Sequence, residues 1–256
     1  MSEQTVSLPA VATISIGAPF KWLAGAWQDY LKAPVPFMLY GIILSAVSAM
    51  IAWALVFSGA FAWVFVLSGG FFLIAPILAM GLYEGGRMIE QGETPGLTDV
   101  VLVREAVRLD LAYLGLALFL VYLFWTRIAQ IVYALSTPFM HKTPADFLSF
   151  MFTTQDGLSM ALTGTLIGGA IAFLAFSMVV ISAPMLLSAK TDVFIATITS
   201  VRCVTKNFLP MLVWGLLIVL LTTIGLATAF FGLILVYPLI GLASWRAFRE
   251  LVPGSP

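Results

Sequence analysis

Apolar stretches long enough to cross a lipid bilayer recur along most of this chain of 256 residues, and they restrict it to a small number of folds. Hydrophobic residues make up 61% of the sequence and charged residues only 9%, whereas an ordinary soluble domain has about 25% charged residues. A helix of about 20 apolar residues crosses the hydrocarbon core. Together with a mean hydropathy of +1.07, these stretches predict an all-α, polytopic membrane protein embedded in the lipid bilayer.

Six stretches of this kind predict six transmembrane helices in a single membrane domain, residues 18–252. They pair into three hairpins, at about residues 36–83, 109–188 and 209–245. The second hairpin contains a longer periplasmic loop, residues 135–157, whereas the other two turn tightly. Residues 1–17 are polar or small and are predicted to form a loose N-terminal tail.

A proline lies near the end of the second helix of each hairpin, and charged sequence follows it. These prolines are Pro76, Pro184 and Pro238. Proline removes a backbone hydrogen bond and kinks a helix, so a fixed kink that spreads the helix ends is the simpler interpretation. The alternative is a broken helix that gates a pathway or exposes carbonyl groups to an ion.

Three short amphipathic segments precede the hairpins, at residues 19–32, 98–109 and 192–206. In the first segment, Phe20, Leu23 and Trp27 recur at helical spacing. A helix with one apolar stripe, aromatic residues and basic residues lies in the membrane interface. Each segment and its hairpin are therefore interpreted as one repeating unit. Because every unit contains two spans, the three units are predicted to be parallel.

The basic residues predict the orientation of these helices. Ten of the twelve Lys and Arg residues fall on the side opposite the hairpin turns. They are Lys21, Lys32, Arg87, Arg104, Arg108, Lys190, Arg202, Lys206, Arg246 and Arg249. Positive residues mark the cytoplasmic side of a membrane protein, so both termini and all three interfacial segments are predicted to be cytoplasmic.

Arg127 is the basic residue that lies well inside a predicted span, and an intramembrane charge is a candidate functional group. It lies near the far end of the helix that begins around Asp110. An arginine there can also extend to the periplasmic headgroups by snorkelling, or pair with Asp146 or Asp156. Snorkelling is the simpler interpretation.

Two further polar side chains are candidates outside the spans. Glu84 lies at the predicted membrane edge and is a candidate to bind a partner or an ion. The simpler interpretation is a solvated helix face, with an ion pair between Arg87 and Glu90. His141 follows Met140 in the periplasmic loop, and a Met–His pair suits Cu(I). A solvated histidine is the simpler interpretation of His141.

The periplasmic loop is also predicted to contain a short helix on the membrane surface. Thr143 followed by Pro144 has the pattern of an N-cap and a first helical residue. The next turns bring Phe147, Phe150 and Met151 to one side of this helix.

Small residues recur at intervals of four in two of the predicted spans. They are Gly81 and Gly85 in the second span, and Gly164, Gly168 and Ala172 in the fourth. Small residues at this spacing allow helix backbones to approach closely. Packing inside the protein is the simpler interpretation, and a face for another membrane protein is the alternative.

Several function classes receive no support from the sequence. The net charge of +0 lacks the basic footprint that nucleic-acid binding needs. The sequence shows no nucleophile–base pair, no phosphate-binding glycine loop and no metal-ligand cluster, so no catalysis, metal or cofactor is expected. The spans also lack the central Asp, Glu or His that a coupled transporter normally needs.

Three motifs resemble a known family of proteobacterial membrane proteins. They are PFKWLAGAWQDYLKAPVPFMLYG at 19–41, GGFFLIAPILAMGLYEGGRMIEQGE at 69–93, and YPLIGLASWRAFREL at 237–251. The resemblance is to predicted integral membrane proteins catalogued as a domain of unknown function, and it extends from about residue 15 to residue 252. Family members usually show Gly-His-Ala-Thr-Trp in the last motif, where this chain has Leu242 in the place of the histidine.

The resemblance implies a location in the bacterial inner membrane and no established activity. Some family members are labelled cytochrome c oxidase subunit I, but this chain has a single histidine and cannot supply the intramembrane haem and copper ligands of that subunit. We therefore expect a non-catalytic accessory or scaffold protein that associates with another membrane complex, with a respiratory complex as the expected kind. A passive channel or permease for a small or apolar solute is the alternative.

Overall fold

The computed structural model describes most of the chain, namely residues 8–58, 78–103, 109–137, 141, 143–188 and 191–254. All regular structure in these ranges is helical, as predicted. The helices are α1 (Ala18–Lys32), α2 (Pro34–Phe57), α3 (Met80–Glu90), α4 (Leu97–Val101), α5 (Leu109–Ser136), α6 (Pro144–Thr153), α7 (Gln155–Val179), α8 (Ser182–Ser188), α9 (Val193–Lys206), α10 (Phe208–Ala227) and α11 (Leu233–Leu251).

Four of the described helical stretches are long and apolar enough to cross a membrane. They are Pro34–Phe57, Leu109–Ser136, Gln155–Ser188 and Phe208–Ala227. Most of the predicted second span, together with Pro76, lies outside the described residues. The predicted sixth span falls within α11, whose final turns carry Arg246, Arg249 and Glu250. The coarse prediction of a helical, multi-pass membrane protein is confirmed.

Two of the three predicted interfacial helices are present as α1 and α9. The third, predicted at 98–109, is wrong as a continuous helix. The described part is α4, which ends at Val101, and the next two residues are not helical. The short loop helix is confirmed as α6, where the Thr143 hydroxyl accepts a hydrogen bond from the Asp146 backbone N–H.

The described residues form two compact units. The first contains α1, α3, α4 and α8 to α11, together with the first parts of α2 and α5 and the last residues of α7. In this first unit α3, α8 and α11 contact one another. The helices found at the three predicted interfacial segments each pack on one of these three: α1 on α11, α4 on α3, and α9 on α8. Large side chains, among them Trp214, Phe37 and Phe248, are fully buried in this unit.

Pro184 coincides with a break between two helices in the first unit. A proline cannot donate to the carbonyl group four residues before it, which here belongs to Val180. The helix α7 ends just before that residue, and α8 begins just after Ile181. The backbone N–H of Ile181 donates instead to the Ser200 hydroxyl, at 3.1 Å, so the break leaves this donor satisfied.

Pro238 lies inside a continuous helix, α11, and the carbonyl group that it deprives of a partner belongs to Ile234. That carbonyl lies directly against Gly41 of α2, so close that a Cβ at Gly41 would overlap with the Ile234 oxygen. Close contacts between a glycine Cα and a carbonyl oxygen recur at helix–helix interfaces. Glycine is required here because the two backbones touch.

The N-terminal segment 8–17 is held against the rest of the first unit, contrary to the expectation of a loose tail. The Asn207 side chain binds it twice, accepting from the Ile14 N–H at 2.9 Å and donating to the Ala12 oxygen at 3.0 Å. The Ala12 N–H donates to the Leu251 oxygen at 2.9 Å. These hydrogen bonds to its backbone fix a segment that has no helix or strand of its own.

The second unit contains the remaining parts of α2, α5 and α7, together with α6. The Trp125 ring of α5 lies against Gly168 of α7, where a Cβ would come within 2.5 Å of the ring. Tyr133, Phe147 and Phe150 surround His141. Aromatic side chains therefore contribute several of the contacts within the second unit.

Candidate functional site

The last turns of α11 present a charged and aromatic cluster to the neighbouring helices. The Arg246 Nε donates to Asp29 Oδ2 of α1 at 2.6 Å. Asp29 is only 5% exposed and also accepts from the Lys32 Nζ at 3.2 Å. This contact joins α1 to α11, two helices that lie near opposite ends of the chain.

The same end of α11 also binds α3 and a second position of α1. Glu90 of α3 accepts from the Arg249 Nε at 2.9 Å and from the Trp245 Nε1 at 3.1 Å. Glu250 accepts from the Trp22 Nε1 of α1 at 2.6 Å. We call these residues the α11 clamp: Trp22, Asp29, Glu90, Trp245, Arg246, Arg249 and Glu250.

Glu84, the predicted candidate at the membrane edge, is buried in the first unit. Its carboxylate accepts from the Arg87 Nε at 2.8 Å, and only 8% of the residue is exposed. The interpretation of this segment as a solvated face is therefore wrong for Glu84. A carboxylate buried beside a guanidinium is a structural ion pair.

The α11 clamp is a structural contact that joins helices of the same chain. Each of its carboxylates accepts hydrogen bonds from arginine, lysine or tryptophan donors on neighbouring turns or helices. Hydrogen bonds to ionised groups are stronger than those between neutral groups, and these join elements that are remote in sequence. Within the described ranges, no three His, Cys, Asp or Glu side chains form a group that could hold a metal ion.

His141 lies in an aromatic environment in the second unit. Its Nδ1 is 2.9 Å from the Tyr133 hydroxyl, and its ring centroid is 4.6 Å from that of Phe150. The interpretation of His141 as a solvated side chain is therefore wrong, since the residue is half-buried. Met140, its partner in the copper hypothesis, lies outside the described residues.

Arg127 and the predicted packing glycines occupy different environments. Arg127 is exposed and donates to Gln130 Oε1 at 3.2 Å. The predicted packing residues of α7 are Gly164, Gly168 and Ala172. The nearest side-chain atom is 4.0 Å from a Cβ built at Gly164, whereas Gly168 touches Trp125 and Ala172 is half-buried.

The predicted packing glycines of α3 lie at close helix contacts in the first unit. A Cβ at Gly81 would overlap with the Val100 oxygen of α4, and a Cβ at Gly85 would come within 2.6 Å of the Phe37 ring. Sequence reasoning did not anticipate these partners. Phe37 is remote from α3 in the chain, and the fold-back of α4 onto α3 has no marker in the spacing of small residues. The spacing of small residues was the signal that marked the positions.

Sequence reasoning missed Asp29 and its partner Arg246. The sequence indicates Arg246 only as one of ten basic residues on the predicted cytoplasmic side, and no local pattern singles out Asp29. The available signal was the alternation of aromatic and basic residues from Trp245 to Arg249, which also belongs to the third family motif. In the structure, Trp245 and Arg249 contact α3, and Arg246 contacts α1.

Cys203 of α9 is fully buried in the first unit. Burial raises the pKa of its thiol from 9.0 to about 12, and the nearby Arg202 and Lys206 oppose that shift. A neutral, buried thiol is a poor nucleophile. Cys203 is therefore a packing residue.

The fold and these contacts define the chain as a multi-pass helical integral membrane protein. Residues 63–188 match the model of a family described as "Predicted integral membrane protein (DUF2189)", which confirms the resemblance to a membrane-protein family of unknown function. The matched segment includes the second of the three motifs, whereas 19–41 and 237–251 lie outside it. No curated protein and no solved structure matches the sequence significantly.

Proposed function

We propose that this protein is a non-catalytic scaffold or accessory protein of a bacterial inner membrane that associates with another membrane complex. The α11 clamp carries the proposal. Its buried carboxylate, Asp29, is bound to Arg246. Its other carboxylates, Glu90 and Glu250, accept from arginine or tryptophan. Charges engaged in this way stabilise a rigid platform, whereas an acid–base centre needs a group that is free to exchange protons.

The outward faces of the described helices suit contact with lipid or with another membrane protein. On α1, Phe20 and Trp27 of the predicted apolar stripe are 57% and 44% exposed, and Leu23 is half-buried. The opposite face, which includes Ala26 and Asp29, is buried against the protein. In a membrane the apolar side chains of an interfacial helix face the acyl chains, and this arrangement supports an interfacial position for α1.

The proposed topology has six spans in three parallel hairpins, with both termini cytoplasmic. The contacts within the first unit support it, because they form a closed cycle. The interfacial helix of the second repeat, α4, packs on α3, the helix that ends the first repeat. The corresponding helix of the third repeat, α9, packs on α8, and α1 of the first repeat packs on α11 of the third. Such a cycle is expected of three related units around an axis normal to the membrane.

The association with a respiratory complex rests on the family resemblance alone. The experiment is an affinity purification of the tagged protein after crosslinking in cells, with extraction in a mild detergent that retains lipid. We expect a membrane complex in stoichiometric amounts, and haem absorbance in the eluate if that complex is respiratory. Recovery of this protein alone after crosslinking would overturn the proposal.

The described residues offer no observation that favours a passive channel or permease. Such a protein needs a polar-lined pathway along its spans. One open depression of about 450 Å³ lies at the adjoining ends of α5 and α7, and its lining includes Ser136, Asp156 and Ser159. A depression at helix ends does not form a pathway through the spans.

A further inference from the structure

We propose that the C-terminal end of α9 binds the headgroup of an anionic phospholipid. The site is an open depression of about 320 Å³ in the first unit, lined by Val11, Arg202, Thr205 and Lys206. Its lining contains two cations, one hydroxyl group and no carboxylate. This inference rests on the membrane class of the protein and does not require the proposed scaffold function.

The position of the site along the chain places it at the membrane surface. Asn207 alone separates α9 from the apolar helix α10, which begins at Phe208. Both Phe208 and the next residue, Leu209, are exposed. Basic residues within two turns of the start of a span lie at the level of the phosphate groups of the lipid.

The rest of α9 has the surface of a helix that rests on lipid. Phe194 is 76% exposed and Ile198 48% exposed, while Ala196, Ser200 and Cys203 face the protein and are buried. Exposed aromatic and aliphatic side chains next to cations are the pattern of an interfacial helix that binds anionic lipid. The acyl chains of a lipid bound at Lys206 would therefore lie against apolar protein surface.

The two cations are held in place but retain donors for a ligand. The Arg202 Nη1 donates to the Pro9 oxygen at 3.4 Å, and the Lys206 Nζ donates to the Val11 oxygen at 2.6 Å. Each of these bonds uses one N–H of the five on arginine or the three on lysine. The N-terminal segment therefore orients both side chains and leaves further N–H groups for phosphate oxygens.

The spacing of the two cations also favours an anion between them. Arg202 and Lys206 are four residues apart on one helix, and like charges at this spacing repel each other and destabilise the helix. A phosphate group placed between them removes that repulsion. Phosphatidylcholine carries a compensating positive charge in its headgroup, so an anionic phospholipid is the ligand that the charge selects.

The test uses the purified full chain in a mild nonionic detergent and measures thermal unfolding by tryptophan fluorescence. The added probes are phosphatidylglycerol, phosphatidylcholine and inorganic phosphate, each over a concentration series that gives an apparent Kd. We expect phosphatidylglycerol to raise the unfolding temperature in a saturable manner, because a ligand that binds the folded state stabilises it. Phosphatidylcholine and inorganic phosphate should produce little change.

The variants Arg202→Gln and Lys206→Gln should each weaken phosphatidylglycerol binding by about fivefold, since one basic residue near an anionic surface contributes roughly 1 kcal/mol. Lys21→Gln is the matched control, because it removes one exposed positive charge from another interfacial helix. Should a glutamine variant fail to fold, Lys206→Arg keeps the charge and should retain binding. Retention in a folded Lys206→Gln variant would overturn the proposal.

Two other outcomes also overturn the proposal. An equal loss of binding in Lys21→Gln would show that binding depends on the net charge of the protein and not on this depression. A full stabilising effect of inorganic phosphate alone would assign the depression to a free anion. If the lipid proposal is disproved, the scaffold proposal is unaffected, because co-purification tests it independently.

Discussion

At the residue scale, Gly41 is the position where the absence of a side chain matters most for the contact between α2 and α11. We expect Gly41→Ala to destabilise the protein by about 1–3 kcal/mol, the usual cost of overpacking, because the new Cβ would overlap with the Ile234 carbonyl oxygen. The free energy of unfolding can be measured by denaturation in mixed detergent micelles.

Gly169→Ala is the matched control for this substitution. Gly169 also lies inside a long helix, and a Cβ built there meets no atom within 4 Å. Alanine is the better helix former by about 1 kcal/mol, so this variant should be neutral or slightly stabilised. Equal destabilisation of both variants would show that the Gly41 contact is not the cause.

Cys203 gives a second prediction at this scale, which concerns pH. Its pKa is raised from 9.0 to about 12 in the folded protein, so unfolding makes the thiol more acidic. The stabilising contribution of the neutral thiol is therefore complete below about pH 9 and is lost as the pH rises from there towards 12. Maleimide labelling at pH 8 should be slow in the folded protein and fast after denaturation.

The control for Cys203 labelling is a cysteine placed on the exposed side of the same helix. Thr205→Cys in a Cys203→Ala background should react rapidly, since Thr205 is exposed. Rapid labelling of Cys203 in the native protein would mean that α9 opens readily and is not packed as described here.

At the element scale, the ion pair between Asp29 and Arg246 fixes α1 to α11. Removing one partner of a fully buried pair costs about 3–5 kcal/mol, but the Arg246 side chain is 37% exposed, so solvent screening reduces the effect. We expect Asp29→Asn to cost about 1–2 kcal/mol and to make α1 more sensitive to limited proteolysis.

Lys32→Gln separates this effect from a general loss of charge. Lys32 also contacts Asp29, at 3.2 Å, but its side chain is 58% exposed. An exposed pair of this kind is worth at most about 1 kcal/mol, so the variant should resemble the wild type in stability and in cleavage of α1. A larger effect of Lys32→Gln than of Asp29→Asn would contradict the assignment.

The helices also show how much of the packing of a membrane protein can be predicted from its sequence. The apolar stripe of α1 correctly predicted a helix. In a soluble protein such a stripe faces the core, whereas here Phe20 faces outward and Ala26 faces the interior of the protein. Lipid is as apolar as the protein interior, so small and polar residues decide which faces meet. The pairing of Asp29 with Arg246 depends on that packing and was not accessible from local spacing.

Local signals predicted local structure more successfully. Thr143 and Pro144 identified the start of α6, because an N-cap and its first turn depend only on neighbouring residues. The break before Pro184 follows from the missing N–H in the same way. By contrast, the close approach of Gly41 to Ile234 joins opposite ends of the chain, and no periodicity in either segment indicates the other.

At the scale of the whole molecule, the number of spans determines on which side each loop lies. With six spans, Ser58 and Thr154 lie on one side of the membrane and Gln91 lies on the other. With only the four long apolar helices as spans, Gln91 would lie on the same side as Ser58, and Thr154 would lie opposite. The two arrangements therefore differ at two independent positions.

This difference can be measured with single cysteines introduced at these positions in a Cys203→Ala background, since all three residues are exposed. We expect a membrane-impermeant maleimide added outside the inner membrane to label Ser58→Cys and Thr154→Cys, and to label Gln91→Cys only after permeabilisation. Labelling of Gln91→Cys from outside, with protection of Thr154→Cys, would replace six spans by four. The cyclic contact of α1, α4 and α9 with the ends of the preceding repeats would then lose its interpretation as a threefold arrangement.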